Sequence, residues 1–274
     1  MTVLGRYAWL LAFACLLGCG GEAGKPAREI TLATTTSTED SGLLEALLPA
    51  FEKESGIHVN VVAVGSGQAL ELGRRGDADV LLTHSPAAEQ KFMDEGFGAT
   101  QLAVMHNDFV IVGPPDDPAD VKDKQTAAAA LRAISGGTHP FVSRADESGT
   151  HVKERAIWKT AEIEPSGNWY IKAGTGMGQA LLLADEKQAY ILADRATYLV
   201  TRTQLASEVL LEGDPELLNH YSVIPVSPDK HPHVHASEAD AFAAFLTSPA
   251  GQELIRTFGI DRFGQPLFVP DALP

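Results

Sequence analysis

Short aliphatic runs alternate along this chain with amphipathic segments of helical period, and most runs end in a cluster of Gly, Ser and Thr. No other feature narrows the fold as far. Strands separated by helices pair largely in parallel, because each helix carries the chain back across one face of the sheet. An α/β fold follows. Glu29–Ala33 reads as the first strand, His58–Val64 as the second and Val80–Thr83 as the third. Between the first two, Leu43, Leu44, Leu47, Leu48 and Phe51 share one face of a helix over 41–55, stopped by Gly56. Helices are also predicted over 68–75 and 87–95. A strand over 108–112 runs into Gly113-Pro114-Pro115, punctuation that reads as a crossing between two lobes.

The same alternation then restarts. Helices are predicted over 126–134, 151–160, 178–186 and 195–203, with strands at 141–143, 189–193 and 221–226 and an extended stretch at 169–172. Two terminal helices follow over 237–246 and 249–258. The second has Ser248 as N-cap and Pro249 at its first position.

The amino terminus stands apart from this pattern. Arg6 precedes an apolar run, Tyr7–Leu17, too short to span a bilayer comfortably but suited to a secretory signal. Leu16-Leu17-Gly18-Cys19 resembles a lipobox, so residues 1–19 are read as a lipoprotein signal peptide with Cys19 as the lipidated residue. A plain signal peptide cut nearby is the alternative. Residues 20–28 are small and polar and read as a flexible tether. The chain is therefore expected in the periplasm or at the cell surface. Its two cysteines, Cys15 and Cys19, both lie in this leader. Past it, neither a disulfide nor a Cys-ligated metal or Cys nucleophile is available. With 21 Lys and Arg against 36 Asp and Glu, the net charge is −15, which repels nucleic acid. A small anion remains admissible, because net charge describes long-range steering and not a pocket.

Four strand-to-helix turns carry the chemistry: Thr34–Thr38, Gly65-Ser66-Gly67, Ser143–Thr150 and Ala173–Gly178. Each leads into a helix start, where backbone N–H groups lack partners and the helix dipole is positive. Gly allows close approach and hydroxyls add donors, so together they form an anion cradle at the carboxyl ends of the strands. For any single turn, ordinary N-capping explains the composition equally well. Four of them, two in each half, shift the balance. Arg144 is the one cation among them, and its guanidinium fork suits an oxyanion unless it is spent on Asp146 or Glu147. No Walker A loop or strand-linked dinucleotide loop is present, so nucleotide binding is not expected.

These segments closely resemble the tungstate-binding periplasmic proteins of ABC importers, the TupA family. The resemblance runs from ATTTSTEDSG and VGSGQALELGRRGDADVLLTHSP through SRADESGTHVKE, AGTGMGQAL, YILADRATYL and KHPHV, covering about residues 29–260. It implies a two-lobed, hinge-closing periplasmic-binding-protein fold (type II-like), each lobe a mainly parallel sheet flanked by helices. Lobe I is expected over 29–112 plus 222–274 and lobe II over 113–221. It further implies a monomeric, non-catalytic solute-binding protein with a permease and its ATPase as partners, and no cofactor. Carried over by motif, the anion contacts are Thr35, Thr36, Ser37, Ser66, Arg144, Ser148, Thr150 and Thr175. Tungstate and molybdate are fully deprotonated dianions at neutral pH, so a selective site should present donors only. Phosphate, still carrying protons, gains from an acceptor. Asp146, Glu147 and Glu39 are accordingly expected to point away from the ligand.

Other readings compete. Molybdate, sulfate or phosphate could occupy the same cradle. A serine hydrolase would need Ser37, Ser66 or Ser148 as nucleophile with His151 as base, but no nucleophile elbow is present. His231-Pro-His-Val-His235 reads as an extended loop, and no cation site is expected. Asp194-Arg195 reads as a helix cap or an inter-lobe pair, residues 73–79 as a solvated turn, and Trp158 and Trp169 as core packing.

Overall fold

A computed structural model describes residues 28–146 and 148–272. The signal peptide, Cys19, the tether up to residue 27 and Glu147 lie outside the described residues. Arg28 already belongs to the first strand. The elements, in order, are β1 (Arg28–Thr35), α1 (Thr36–Asp40), α2 (Leu43–Ser55), β2 (Ile57–Val64), α3 (Ser66–Arg75), β3 (Val80–Thr83), α4 (Pro86–Asp94) and β4 (Leu102–Gly113). There follow α5 (Ala127–Gly136), β5 (Phe141–Ser143), α6 (Gly149–Thr160), β6 (Tyr170–Lys172), α7 (Met177–Glu186), β7 (Tyr190–Asp194), α8 (Arg195–Thr201) and β8 (Glu208–Leu211). The chain closes with β9 (Leu218–Pro225), α9 (Ala236–Thr247), α10 (Pro249–Thr257), α11 (Ile260–Phe263) and β10 (Val269–Pro270).

Strand order is β2-β1-β3-β9-β4-β7-β5-β6, with β8 and β10 also pairing β4. The 12-residue β4 serves two sheets. Leu102–Asp108 pairs with β9, and Phe109–Val112 pairs with β7. The change of partner thus falls between Asp108 and Phe109, four residues ahead of the crossing expected at Gly113. A uniformly aliphatic run hides this point from the sequence, because nothing in Val110-Ile111-Val112 tells which sheet it joins.

Each sheet is parallel in one half only. β1–β2, β1–β3, β5–β6 and β5–β7 are parallel, whereas β3–β9, β4–β9, β4–β7 and β4–β8 are antiparallel. The expectation of mainly parallel sheets is corrected here for a topological reason. The chain must leave lobe I and return, so β4 and β9 run in opposite directions and pair with each other. β8 and β10 are too short to announce themselves against their loops.

Helices cover both faces of both sheets. In lobe I, α2 buries Leu43, Leu47 and Phe51 against α9, with the Phe51 and Phe242 rings edge-on at 5.0 Å. On the opposite face α3 and α4 pack Ala69, Leu70 and Phe92 against Leu81 and Ile224. In lobe II, α5 and α6 close one face through Leu131, Ile157 and the buried Trp158, and α7 closes the other through Ala180 and Leu181. Ser248 caps α10 as expected, accepting from Gly251 N at 3.1 Å. Residues 73–79 are not a solvated turn: Asp79 is buried and accepts from Thr31 N and His235 N, each at 2.7 Å.

Candidate functional site

Register brings the four turns together in pairs. Thr35 lies opposite Val64 at the end of the β1–β2 ladder, so the Thr34–Thr38 and Gly65–Gly67 turns leave the sheet side by side. In lobe II, Ser143 lies opposite Lys172, and the turns are laced by Ala173 N to Ser143 O and Gly174 N to Arg144 O, both 2.9 Å. The pairs face each other across the lobes at His84. This residue directly follows β3, and its Cε1 lies 3.2 Å from where a Cβ on Gly149 would stand. Gly149 is the first residue of α6. A side chain there would have to push into the imidazole, so glycine permits this approach.

On the lobe I side, Thr35 is a buried N-cap. Its Oγ1 accepts from Thr38 N (3.3 Å) and lies 3.1 Å from Ser37 Oγ, 2.7 Å from Thr38 Oγ1 and 3.2 Å from His84 Nε2. Thr36 and Ser37 are exposed at the start of α1, with Ser37 Oγ 3.4 Å from His84 Nε2. Ser66 is the first residue of α3, beside them through the β1–β2 register. On the lobe II side, Thr175 sits between Gly174, at φ +62°, and the α7 N-cap Gly176. The side chains of Ser66 and Thr175 border the group through backbone register rather than direct contact.

Arg144 holds the centre of the lobe II half. Its Nη2 donates to Asp146 Oδ2 at 2.5 Å and its Nη1 to the buried Thr150 Oγ1 at 3.4 Å. Its Nε is buried without a partner among the described residues. Asp146 Oδ1 accepts from both Ser148 Oγ (2.6 Å) and Ser148 N (3.2 Å). Burial alone would raise this carboxyl, but the Ser148 bonds and the Arg144 charge hold it below the ordinary carboxylate range. Both oxygens of Asp146 are thus engaged by the protein. Ser148 also caps α6, and Thr150 stands in its first turn. Arg144 therefore forms the ion pair with Asp146, one of the two readings weighed for it. Because the Ser148 hydroxyl gives its proton to Asp146, no Ser148–His151 nucleophile and base pair forms.

His84 is the residue sequence reasoning missed. Burial pushes its pKa down to about 4 against the opposing hydrogen bond to Asn219, so the ring is neutral at physiological pH. Nδ1 donates to Asn219 Oδ1 at 3.0 Å, which leaves Nε2 as an acceptor facing the Thr35 and Ser37 hydroxyls. Asn219 is set in turn by Asn107 Oδ1 (2.8 Å) and the Tyr221 hydroxyl (3.2 Å), and Tyr221 stacks on the His84 ring at 4.7 Å. The available signal was position: His84 ends a strand at the same sheet edge as the Thr34–Thr38 turn. Its partner Asn219 comes from β9, 135 residues away in sequence, and Asn219 is in turn held by Asn107 of β4.

Nearby, Asp194 caps α8 through Thr197 N at 2.8 Å, and Arg195 forks onto Asp108 (2.6 and 2.5 Å) and reaches Glu212 (2.6 Å). Arg195 therefore clamps β4 where it changes sheets. His231 and His233 are used structurally: their Nε2 atoms donate to Arg74 O (2.8 Å) and Gly76 O (3.0 Å) at the end of α3. A groove of about 680 Å³ runs along the outer face of α6, lined by Val152, Arg155, Ala156 and Lys159, away from the four turns.

Comparison with known proteins places this geometry. A profile for the PBP superfamily domain matches residues 20–250. The tungstate-binding protein TupA of Peptoclostridium acidaminophilum is 48% identical over 273 residues, spanning 96% of this chain and 95% of that protein. The solved structure of the tungstate-binding protein TupA from Desulfovibrio alaskensis G20 superposes with a TM-score of 0.85 at 44% identity, over 90% of this chain and all of that one. A structure titled as the tungstate ABC transporter from Geobacter sulfurreducens gives 0.73 at 45% identity, over 84% of this chain and 98% of that one.

Proposed function

Because the chain belongs to the PBP superfamily and, within it, to the tungstate-binding TupA proteins, we propose that it is the solute-binding component of an ABC importer. It captures tungstate between its lobes and presents the closed form to a permease and its ATPase. Members of this family are transport components, not enzymes.

One observation supports the choice of ligand. The facing turns offer donors, and Asp146, the carboxylate among their described residues, has both oxygens occupied by Arg144 and Ser148. A fully deprotonated oxyanion fits such a lining, while a protonated phosphate would find no free carboxylate for its hydrogen among the described residues of the turns. Arg144, whose buried Nε has no partner among the described residues, supplies the charge. Thr35, Thr36, Ser37, Ser66, Thr150 and Thr175 supply hydroxyls, Ser148 holds Asp146 in place, and the α3, α6 and α7 starts supply N–H groups. His84, neutral and fixed by Asn219, sets the orientation of the Thr35 and Ser37 hydroxyls. Closure satisfies the ion from both lobes, and each lobe contributes donors the open form cannot bring together.

Thermal unfolding of the chain from residue 20 onward, with tungstate, molybdate, sulfate and phosphate at equal concentration and ionic strength, tests this. A ligand at 100 times its dissociation constant stabilises by about 2.7 kcal/mol. The proposal expects the midpoint to rise with tungstate above molybdate and not with phosphate. A rise with phosphate alone would show that an acceptor faces the ligand. No rise with any of the four would remove the oxyanion reading. Attachment through Cys19 completes the proposal for a monomer tethered at the outer face of the membrane. It predicts fatty-acid labelling of the protein that Cys19→Ser abolishes. Among the described residues no helix is long and apolar enough to cross a membrane.

A further inference from the structure

On the C-terminal side of lobe I, away from the four turns, two imidazoles and a carboxylate converge from three strands. His106 on β4 stands directly opposite His220 on β9, and their rings lie 5.4 Å apart. β10 pairs the other edge of β4, with Val269 opposite His106, and delivers Asp271 just beyond its end. The carboxylate spans both rings: Oδ1 is 2.6 Å from His106 Nδ1 and Oδ2 is 3.2 Å from His220 Nδ1. One ligand atom from each residue falls within 4.8 Å of the others. Asp271 does not reach this place by chance of a loose tail. Its N–H bonds Val104 O at 3.0 Å, and the next residue, Ala272, bonds the buried Gln252 Oε1 at 3.0 Å.

We propose that His106, His220 and Asp271 form a binding site for a divalent transition-metal ion of the zinc class. Two imidazoles and one carboxylate are the donor set that zinc takes when a fourth position is left for water. Imidazole selects Zn²⁺, Cu²⁺, Ni²⁺ or Co²⁺ over Ca²⁺ and Mg²⁺, which require oxygen ligands throughout. At metal–ligand bonds of about 2.0–2.2 Å, tetrahedral ligand atoms stand roughly 3.3–3.6 Å apart, so the contacts of 2.6 and 3.2 Å would open by about 1 Å or less to admit the ion. The ion would replace the two imidazole–carboxylate contacts by bonds to a common centre. It would tie β10 to the two strands that connect the lobes, two residues before β4 changes sheets at Asp108 and Phe109. The site shares no residue with the anion cradle, so the inference stands apart from the choice of anion. It also revises the expectation that the chain holds no cation site.

The test uses the full chain without an affinity tag, stripped with a chelator and titrated with ZnCl₂ by calorimetry and with CoCl₂ by visible absorption. One Zn²⁺ per chain is expected, and Co²⁺ should develop the intense bands of four-coordinate cobalt. His220→Gln and Asp271→Asn should each weaken binding by at least roughly tenfold, since loss of a supporting residue alone costs 10–100-fold at metal sites. The double variant His106→Gln, His220→Gln should show no saturable binding. His58→Gln, which removes an exposed imidazole paired with Glu52, should change nothing. Circular dichroism and the urea unfolding transition of each variant verify that it is folded. Absence of saturable Zn²⁺ binding to the unmodified chain, or binding that survives the double variant, would overturn the proposal.

Discussion

Replacing His84 by Gln should alter how stability depends on pH. In the folded protein the imidazole is held at about 4, and in the unfolded chain it returns to 6.5. Between these values the unfolded chain binds a proton that the folded protein does not. Stability is therefore full above pH 6.5 and falls as the pH drops toward 4, by about 1.36 kcal/mol per pH unit. From 7.5 to 5.0 the ring should cost about 2 kcal/mol, and by pH 4 about 3 kcal/mol. Other carboxylates and histidines titrate over the same range, so the informative quantity is the difference between the two proteins. Urea unfolding of the anion-free protein and of His84→Gln should be measured at pH 7.5, 6.5, 5.5 and 4.5. The stability of the unmodified protein relative to the variant should shrink steadily below pH 6.5. Curves that stay parallel across the range would refute the buried, neutral imidazole and with it the role given to Asn219.

Three further outcomes follow from single side chains. Arg144→Ala should weaken tungstate binding by about 2 kcal/mol or more, roughly thirtyfold, the worth of a hydrogen bond to a charged group, as read by isothermal calorimetry. Gln252→Leu should destabilise the fold by roughly 3 kcal/mol in urea: this fully buried amide donates to Val104 O (2.9 Å) and Leu246 O (2.7 Å), and leucine leaves them unserved. Gly251→Ala should cost several kcal/mol or prevent folding, because its Cβ would lie 2.2 Å from Phe245 O, a backbone atom that cannot step aside; a variant with an unchanged melting midpoint would contradict that packing.

Much of the site was legible because its parts are local. A strand, a Ser- or Thr-rich turn and a helix start form one short segment, and the capping that defines the turn uses neighbours three residues away. Ser148 accepting from His151 N and Thr35 accepting from Thr38 N are of this kind. Arg144 stood out for the same reason, as the lone cation in such a turn. His84 did not. A single imidazole after a strand has no local signature: its neutrality comes from burial beside Tyr221 and Gly149 and its orientation from Asn219, all remote in sequence. Asp79 was misread for a related reason: its acidic, Gly-flanked segment looks solvated until Thr31 and His235 arrive to use both oxygens.

Alternation of aliphatic and amphipathic segments, read from the residues alone, is enough for α/β layering and for four anion-ready turns, since hydrophobic period and capping act over fewer than ten residues. Whether those turns meet, and what lies between them, was left to strand pairing. β4 had to pass from one sheet to the other at Asp108 and Phe109, and β9 had to return beside it, before the two halves of the cradle faced each other. The same pairing brought His106, His220 and Asp271 together from 165 residues of intervening chain. Long-range pairing is set by which apolar faces bury one another most completely, a property of the whole fold that no local stretch of sequence carries.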